Sequence, residues 1–240
     1  MNATLSPMMI DGLLLWFPAF LFSTTLHEAA HAWAALRGGD PTAYHGGQVS
    51  LSPWPHIRRE PIGMLVLPLI TSATMGWAMG WASAPYDPRW ADAHPRRAAW
   101  MAAAGPAANL LIALAAFAGL KLGMATGMFA APEAVSLSHL VQPVTGGLGG
   151  TADWAGRILS VLMMLNLLLA TFNLLPLPPL DGATAIGIVL PEGVARWLRH
   201  NSNAFALLGM LAAWRLFPHL VSPLLRAAVT LLHPGVGYGF

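Results

Sequence analysis

Residues 10–36 read IDGLLLWFPAFLFSTTLHEAAHAWAAL, and His27-Glu28-Ala29-Ala30-His31 falls in the second half of that run. The stretch is apolar and longer than the roughly 20 residues a helix needs to cross a bilayer. Asp11 and Pro18 interrupt its first half. On a helix, His27 and His31 stand four positions apart and project from one face. Two imidazoles so placed can grip one tetrahedral zinc ion, and the Glu28 between them can reach the metal's water as a general base. Three ionisable side chains inside lipid are costly unless they are paired, and ionisable groups in spans generally serve function. The plainer alternative is that both histidines hydrogen-bond within a helix bundle. A catalytic zinc takes three protein ligands and keeps one position open, so the metal reading needs a third ligand from elsewhere.

Composition places this helix in a membrane protein. Of 240 residues, 56% are hydrophobic and 9% charged, whereas soluble domains carry about a quarter charged residues. Mean hydropathy is +0.58. The chain cannot coat a soluble core with charge, and it lacks the low hydrophobicity and high net charge of disorder. Net charge is +2, with no basic stripe, so nucleic acid is not an expected partner. Cysteine is absent, which removes disulfides, thiolate metal sites and a cysteine nucleophile. Any metal must be held by His, Asp or Glu. Residues 1–10 hold no Lys or Arg, so a secretory n-region is missing and the first apolar run is expected to be a retained span. No repeat stands out. Residues 1–240 read as a single membrane-embedded domain, with its core at 10–190 and a helical C-terminal region at 204–232.

The expected fold is all-α and polytopic, with about four to five transmembrane helices, a re-entrant segment and a short β-hairpin. Apolar segments run from Ile10 to Leu36, Ile62 to Trp81, Ala98 to Leu122 and Ile158 to Leu175. Ala204 to Leu232, with Pro218 and Pro223, reads as one tilted helix or two short ones. Tyr44 to Ser52 reads as a short strand or hairpin. His45, His56 and His94 fall in loops and are expected to be solvated or interfacial; Trp54, Trp90 and Trp154 are expected in the interfacial belt.

Charge bears on topology. Arg37, Arg58 and Arg59 lie in 37–60, Arg89, Arg96 and Arg97 in 82–97, and Arg196 and Arg199 in 179–203, whereas 123–152 holds no Lys or Arg. Basic loops tend to be cytoplasmic. If the Ile62–Trp81 segment crosses, the first two basic loops fall on opposite faces. If it dips in and returns, every basic loop is cytoplasmic. Pro68 at its centre and the Gly76–Gly80 stretch suit a broken hairpin, which must be covered by protein or line a cavity. An ordinary short span remains the alternative on hydropathy alone.

Asp-Gly pairs at Asp11-Gly12 and Asp181-Gly182 are each unremarkable as turns. What distinguishes Asp181, the best candidate for the third ligand, is its setting: Asn173-Leu-Leu-Pro176-Leu-Pro-Pro-Leu180-Asp181-Gly182. HEAAH in one span and this decapeptide closing a later one resemble the site-2 protease family of intramembrane zinc metalloproteases. The chain matches that family's N-x-x-P-x-x-x-L-D-G at each fixed position, and Gly105-Pro106-Ala107-Ala108-Asn109 matches its G-P-x-x-N. Gly80-Trp81-Ala82 and Pro95-Arg96-Arg97 resemble the compact bacterial branch, which carries no PDZ-like or CBS-like domain.

The resemblance implies one Zn²⁺ held by His27, His31 and Asp181, with Glu28 as base and Asn173 helping to position substrate or stabilise the developing oxyanion. It implies an endopeptidase of the cell membrane whose site faces the cytoplasmic side and whose substrate is a membrane protein with a transmembrane helix. It also bears on topology. With one complete crossing between the first and fourth spans the two run parallel, and Asp181 can reach the depth of His31. With two crossings it lands about 20 Å away in a core of about 30 Å, too far for a zinc bond of about 2 Å. Gly105 and Asn109 read as a packing contact and an interhelical hydrogen bond. Pro176, Pro178 and Pro179 are expected to break the fourth span. The rivals are an HExxH enzyme with Glu as third ligand, for which Glu60, Glu133 and Glu192 are poorly placed, and a zinc-binding scaffold or metal transporter.

Overall fold

The structure, a computed structural model, describes residues 7–238; the part of the amino-terminal reading that concerns residues 1–6 lies outside them. In chain order the main helices are α1 (Met8–Gly38), α2 (Ile62–Met75), α3 (Pro95–Ala125), α4 (Thr151–Asn173), α5 (Asp181–Ala185), α6 (Glu192–His200) and α7 (Ser202–Leu232). Among the described residues α1, α3, α4 and α7 are long and apolar enough to cross a membrane. Local chemistry sets their ends. α1 stops at Gly39, whose φ of 100° is left-handed and suits a residue without Cβ. α3 opens on Pro95, where no N–H is needed. α4 ends at Asn173, and the prolines beyond it cannot continue a helix.

α2 does not cross. It is about 21 Å long at 1.5 Å per residue, short of a 30 Å core, and it ends at Gly76 with φ 77°. The chain then returns. Trp81 donates its backbone N–H to the Gly63 carbonyl at 3.1 Å. The Ser83 hydroxyl donates to the Glu60 carboxylate at 2.6 Å, so the start and finish of the excursion lie together. Its tip packs on the first turns of α1, where Gly12 meets the Ser72 carbonyl so closely that a Cβ would overlap it. On the returning stretch, Ala78 packs with Leu15, Trp16, Ala19 and Phe20 of α1 and Val161 and Leu165 of α4. Irregular backbone at membrane depth needs such protein cover. The segment is re-entrant.

One complete crossing, α3, therefore separates α1 from α4, and those two run parallel. The cross-links follow that order: His31 meets Met101, His27 meets Asn109, and Ser23 meets Asn166. The basic loops gather in one layer at the ends of α1 and α4. Trp90 and Arg97 both donate to the Gly38 carbonyl, at 3.0 and 3.1 Å. Asp40 accepts from the Asp87 N–H at 2.8 Å, and Arg199 reaches the Ala91 carbonyl and Asp92. Trp90 is thus a buried packing residue rather than a belt residue.

A two-stranded antiparallel pairing is present, but it joins β1 (Phe129–Ala130) to β2 (Gln142–Pro143) at the opposite end of the bundle. Residues 44–52 are not a hairpin. The Asp40 carboxylate accepts from the Thr42 N–H and hydroxyl and starts a helical turn over Thr42–His45; Gln48 is then buried, its amide reaching Ser83. The C-terminal region is one helix, α7, despite Pro218 and Pro223. Its outer face presents Leu207, Leu208, Leu211 and Leu220, as a lipid-facing surface does. Its inner face is narrow at Gly209, where a Cβ would overlap the Pro178 carbonyl.

Candidate metal centre

The site is assembled on α1. His27 and His31 lie on its inward face and are buried, as is Glu28 between them. Asp181 arrives from the far end of the chain at the first residue of α5. Its Oδ2 lies 3.1 Å from His27 Nε2 and 3.3 Å from His31 Nε2, and the two Nε2 atoms are 3.0 Å apart. A tetrahedral centre with bonds of about 2 Å has edges of about 3.3 Å. Three donor atoms at these separations lie where three corners of such a tetrahedron would. Two imidazoles and a carboxylate are a zinc-type donor set, so these residues fit the metal. Among the described residues this is the one such grouping of His, Cys, Asp and Glu.

The supporting residues explain the G-P-x-x-N sequence. Gly105 faces both imidazoles, and a Cβ there would collide with His31 Nε2 and His27 Nε2. Pro106 has no N–H to give the Ala102 carbonyl four residues back, and the neighbouring Met101 carbonyl accepts from His31 Nδ1 at 2.8 Å. One turn further, Asn109 Oδ1 meets His27 Nδ1 at 2.5 Å. The L-D-G sequence has a similar cause: a Cβ on Gly182 would overlap the Leu174 and Leu175 carbonyls. Loop 174–180 is folded tightly, with Leu177 N–H donating to Leu175 and Leu180 N–H to Leu177. Leu175 and Leu180 pack on Ala213 of α7.

Glu28 carries a buried carboxylate oxygen, Oε2, with no hydrogen-bond partner in the protein. Such an atom is costly without a ligand or a proton to hold. The structure brings together His27, Glu28, His31 and Asp181. The Asn173 amide donates to the Leu169 carbonyl one turn back at 3.0 Å. His56, expected in a solvated loop, is 1% exposed. It donates from Nε2 to the Ser50 carbonyl at 3.1 Å, leaves Nδ1 without a partner, and lies within electrostatic reach of Glu28. Asn166 was also missed: it is buried in α4 and bonded to Asn109 and Ser23. The available signal was a lone amide in an apolar run, which in lipid needs a partner.

Fold and site together define a class: a polytopic membrane protein with a two-histidine, one-aspartate metal centre between its helices. Residues 16–215 match peptidase family M50, and the chain belongs to that family, the site-2 protease family of metallopeptidases. It is 33% identical over 208 residues to the "Putative zinc metalloprotease YwhC" of Bacillus subtilis (strain 168), covering 86% of this chain and 84% of that one. It is 31% identical over 211 residues to the "Putative zinc metalloprotease Rip2" of Mycobacterium tuberculosis (strain ATCC 25618 / H37Rv), covering 87% and 70%. Against the Mycolicibacterium smegmatis protein of the same name, identity is 29% over 184 residues, with 76% of this chain and 60% of that one covered. No solved structure matches.

Proposed function

We propose that the protein is an intramembrane zinc endopeptidase that hydrolyses peptide bonds in or near the transmembrane segments of other membrane proteins. Residues 1–240 would act as one membrane-embedded catalytic domain, with the site toward the cytoplasmic side. The observation that carries this reading is the convergence of Asp181 on His27 and His31 beside the unpartnered Glu28 carboxylate. The layer of basic loops at the site's end of the bundle supports the orientation.

A zinc ion held there would supply water activation and polarisation of the scissile carbonyl. Glu28 takes the proton of the attacking water and delivers it to the leaving amine. His27, His31 and Asp181 would hold the metal, and Gly105 keeps space clear before both imidazoles. A helical peptide bond is shielded by its own backbone, so the substrate must unwind before it reaches Glu28. The irregular backbone at 76–81 is a stretch beside which an extended segment could lie. The Asn173 amide donates one N–H to the Leu169 carbonyl and has a second with which to assist the substrate carbonyl.

The test compares purified wild type with Glu28→Gln, reconstituted in liposomes with candidate substrates drawn from a membrane proteome comparison of the two. Cleavage lost in Glu28→Gln with zinc content unchanged supports the reading. Full cleavage by Glu28→Gln overturns it, and a wild type that binds zinc without cleaving any membrane protein favours the scaffold or transporter alternative.

A further inference from the structure

We infer that Asn166, a residue that touches neither metal nor substrate, positions the centre by dictating which nitrogen of His27 faces it. The inference rests on the zinc-site reading above. An imidazole can present a metal-binding lone pair at Nε2 only if its proton sits at Nδ1. For His31 the matter is simple, because Nδ1 faces the Met101 carbonyl, and a carbonyl can only accept. His27 has no such neighbour. Its Nδ1 faces the side chain of Asn109, and an amide can turn either its oxygen or its nitrogen toward a partner.

The ambiguity is removed one residue further along. Asn109 Nδ2 lies 2.7 Å from Asn166 Oδ1. Asn166 Nδ2 in turn lies 2.8 Å from the Leu162 carbonyl and 2.8 Å from Ser23 Oγ. The Leu162 carbonyl can only accept, so Asn166 must aim its NH₂ there. Its oxygen then faces Asn109, Asn109 must donate to it, and the Asn109 oxygen is left facing His27. His27 is therefore obliged to donate from Nδ1, which leaves its Nε2 lone pair directed at Asp181 and His31. A backbone carbonyl of α4 thus sets the donor atom of an α1 ligand through two amides. All three side chains, Asn109, Asn166 and Ser23, are buried, so no competing solvent partner resets the direction. Asn166 also ties α4 to α1 by its contact with Ser23, which makes it a positioning residue rather than a catalytic one.

Three substitutions separate this role from simple packing. Asn166→Leu removes the acceptor for Asn109 and leaves the Asn109 amide free to flip. Asn166→Asp keeps an oxygen facing Asn109 in either protonation state. Ser23→Ala removes a contact of Asn166 but leaves the Leu162 carbonyl in charge of its orientation. Zinc affinity is read by chelator competition on detergent-solubilised protein, with thermal melts to verify folding. In ¹⁵N-histidine-labelled, metal-free protein, nitrogen shifts read the His27 tautomer. We expect Asn166→Leu to weaken zinc about 10–100-fold, the usual effect of losing a group that orients a ligand, and to yield a mixture of His27 tautomers. Asn166→Asp and Ser23→Ala should stay within about threefold of wild type and keep the Nδ1–H form. Equal zinc affinity and an unchanged tautomer in Asn166→Leu overturn the inference, as does an equal loss in all three variants, which would mean packing alone is at stake. A wild type that binds no zinc defeats the parent reading instead, whereas the tautomer measurement still judges the inference.

Discussion

The backbone N–H of Trp81 is bonded to the carbonyl of Gly63, and that single contact fixes the topology. A segment whose start and finish are hydrogen-bonded to one another cannot leave them on opposite faces of a bilayer. The absence of native cysteine makes a clean labelling experiment available. Single cysteines at the exposed positions Ser52, Ala93 and Gly193 should react with an impermeant maleimide from one side of the membrane, and one at Thr145 from the other. Opposite-side labelling of Ser52 and Ala93 would refute the re-entrant layout.

Gly105→Ala should injure the metal centre more than the fold. The new methyl meets the far atoms of two imidazoles rather than backbone, so the rings must swing aside. We expect zinc affinity to fall at least about tenfold, with the melting temperature of the zinc-free protein moving little. Metal analysis after gel filtration, alongside the melt, checks both halves.

Asp181→Asn should bind zinc more weakly while leaving the bundle assembled. An amide oxygen can still accept near His27 and His31, but it lacks the charge that attracts the cation. We expect a loss of about 10–100-fold, read by chelator competition; unchanged affinity would move the third ligand elsewhere.

Acid should loosen the loop layer at Asp40. Burial pushes this carboxyl up, but hydrogen bonds from the Thr42 hydroxyl, the Asp87 N–H and the Thr42 N–H outweigh it and hold the group below the usual carboxylate range. Its contribution to stability is therefore present above the unfolded value of about 3.9 and is lost as pH falls through the lower folded value. Asp40→Ala should melt earlier than wild type at pH 7, and the gap should narrow toward pH 3 in thermal scans.

What could be read from the sequence follows physical range. His27 and His31 are one helical turn apart, so their shared face was legible without any structure. Asp181 is remote, and only its extended motif singled it out. Asn166 offered only an amide in a leucine-rich run as a signal, because its value comes from partners on two other helices that the run does not name. Residues 44–52 misled for a local reason: Gly46 and Gly47 suggest a hairpin turn, but the buried Asp40 carboxylate starts a helical turn first. His56 was misjudged because loops are usually wet, whereas this residue lies in a short helix, Trp54–Arg59, with its ring buried against the Ser50 carbonyl.

Gly209 adds a consequence for biosynthesis. The bend that carries Asp181 rests its Pro178 carbonyl on the bare face of α7 at that glycine, and α7 is made after every helix that carries a residue of the site. A nascent chain halted before it can already display both histidines and Glu28, yet its aspartate lacks the wall that seats it. Seating of Asp181 beside the histidines thereby waits until α7 has been made.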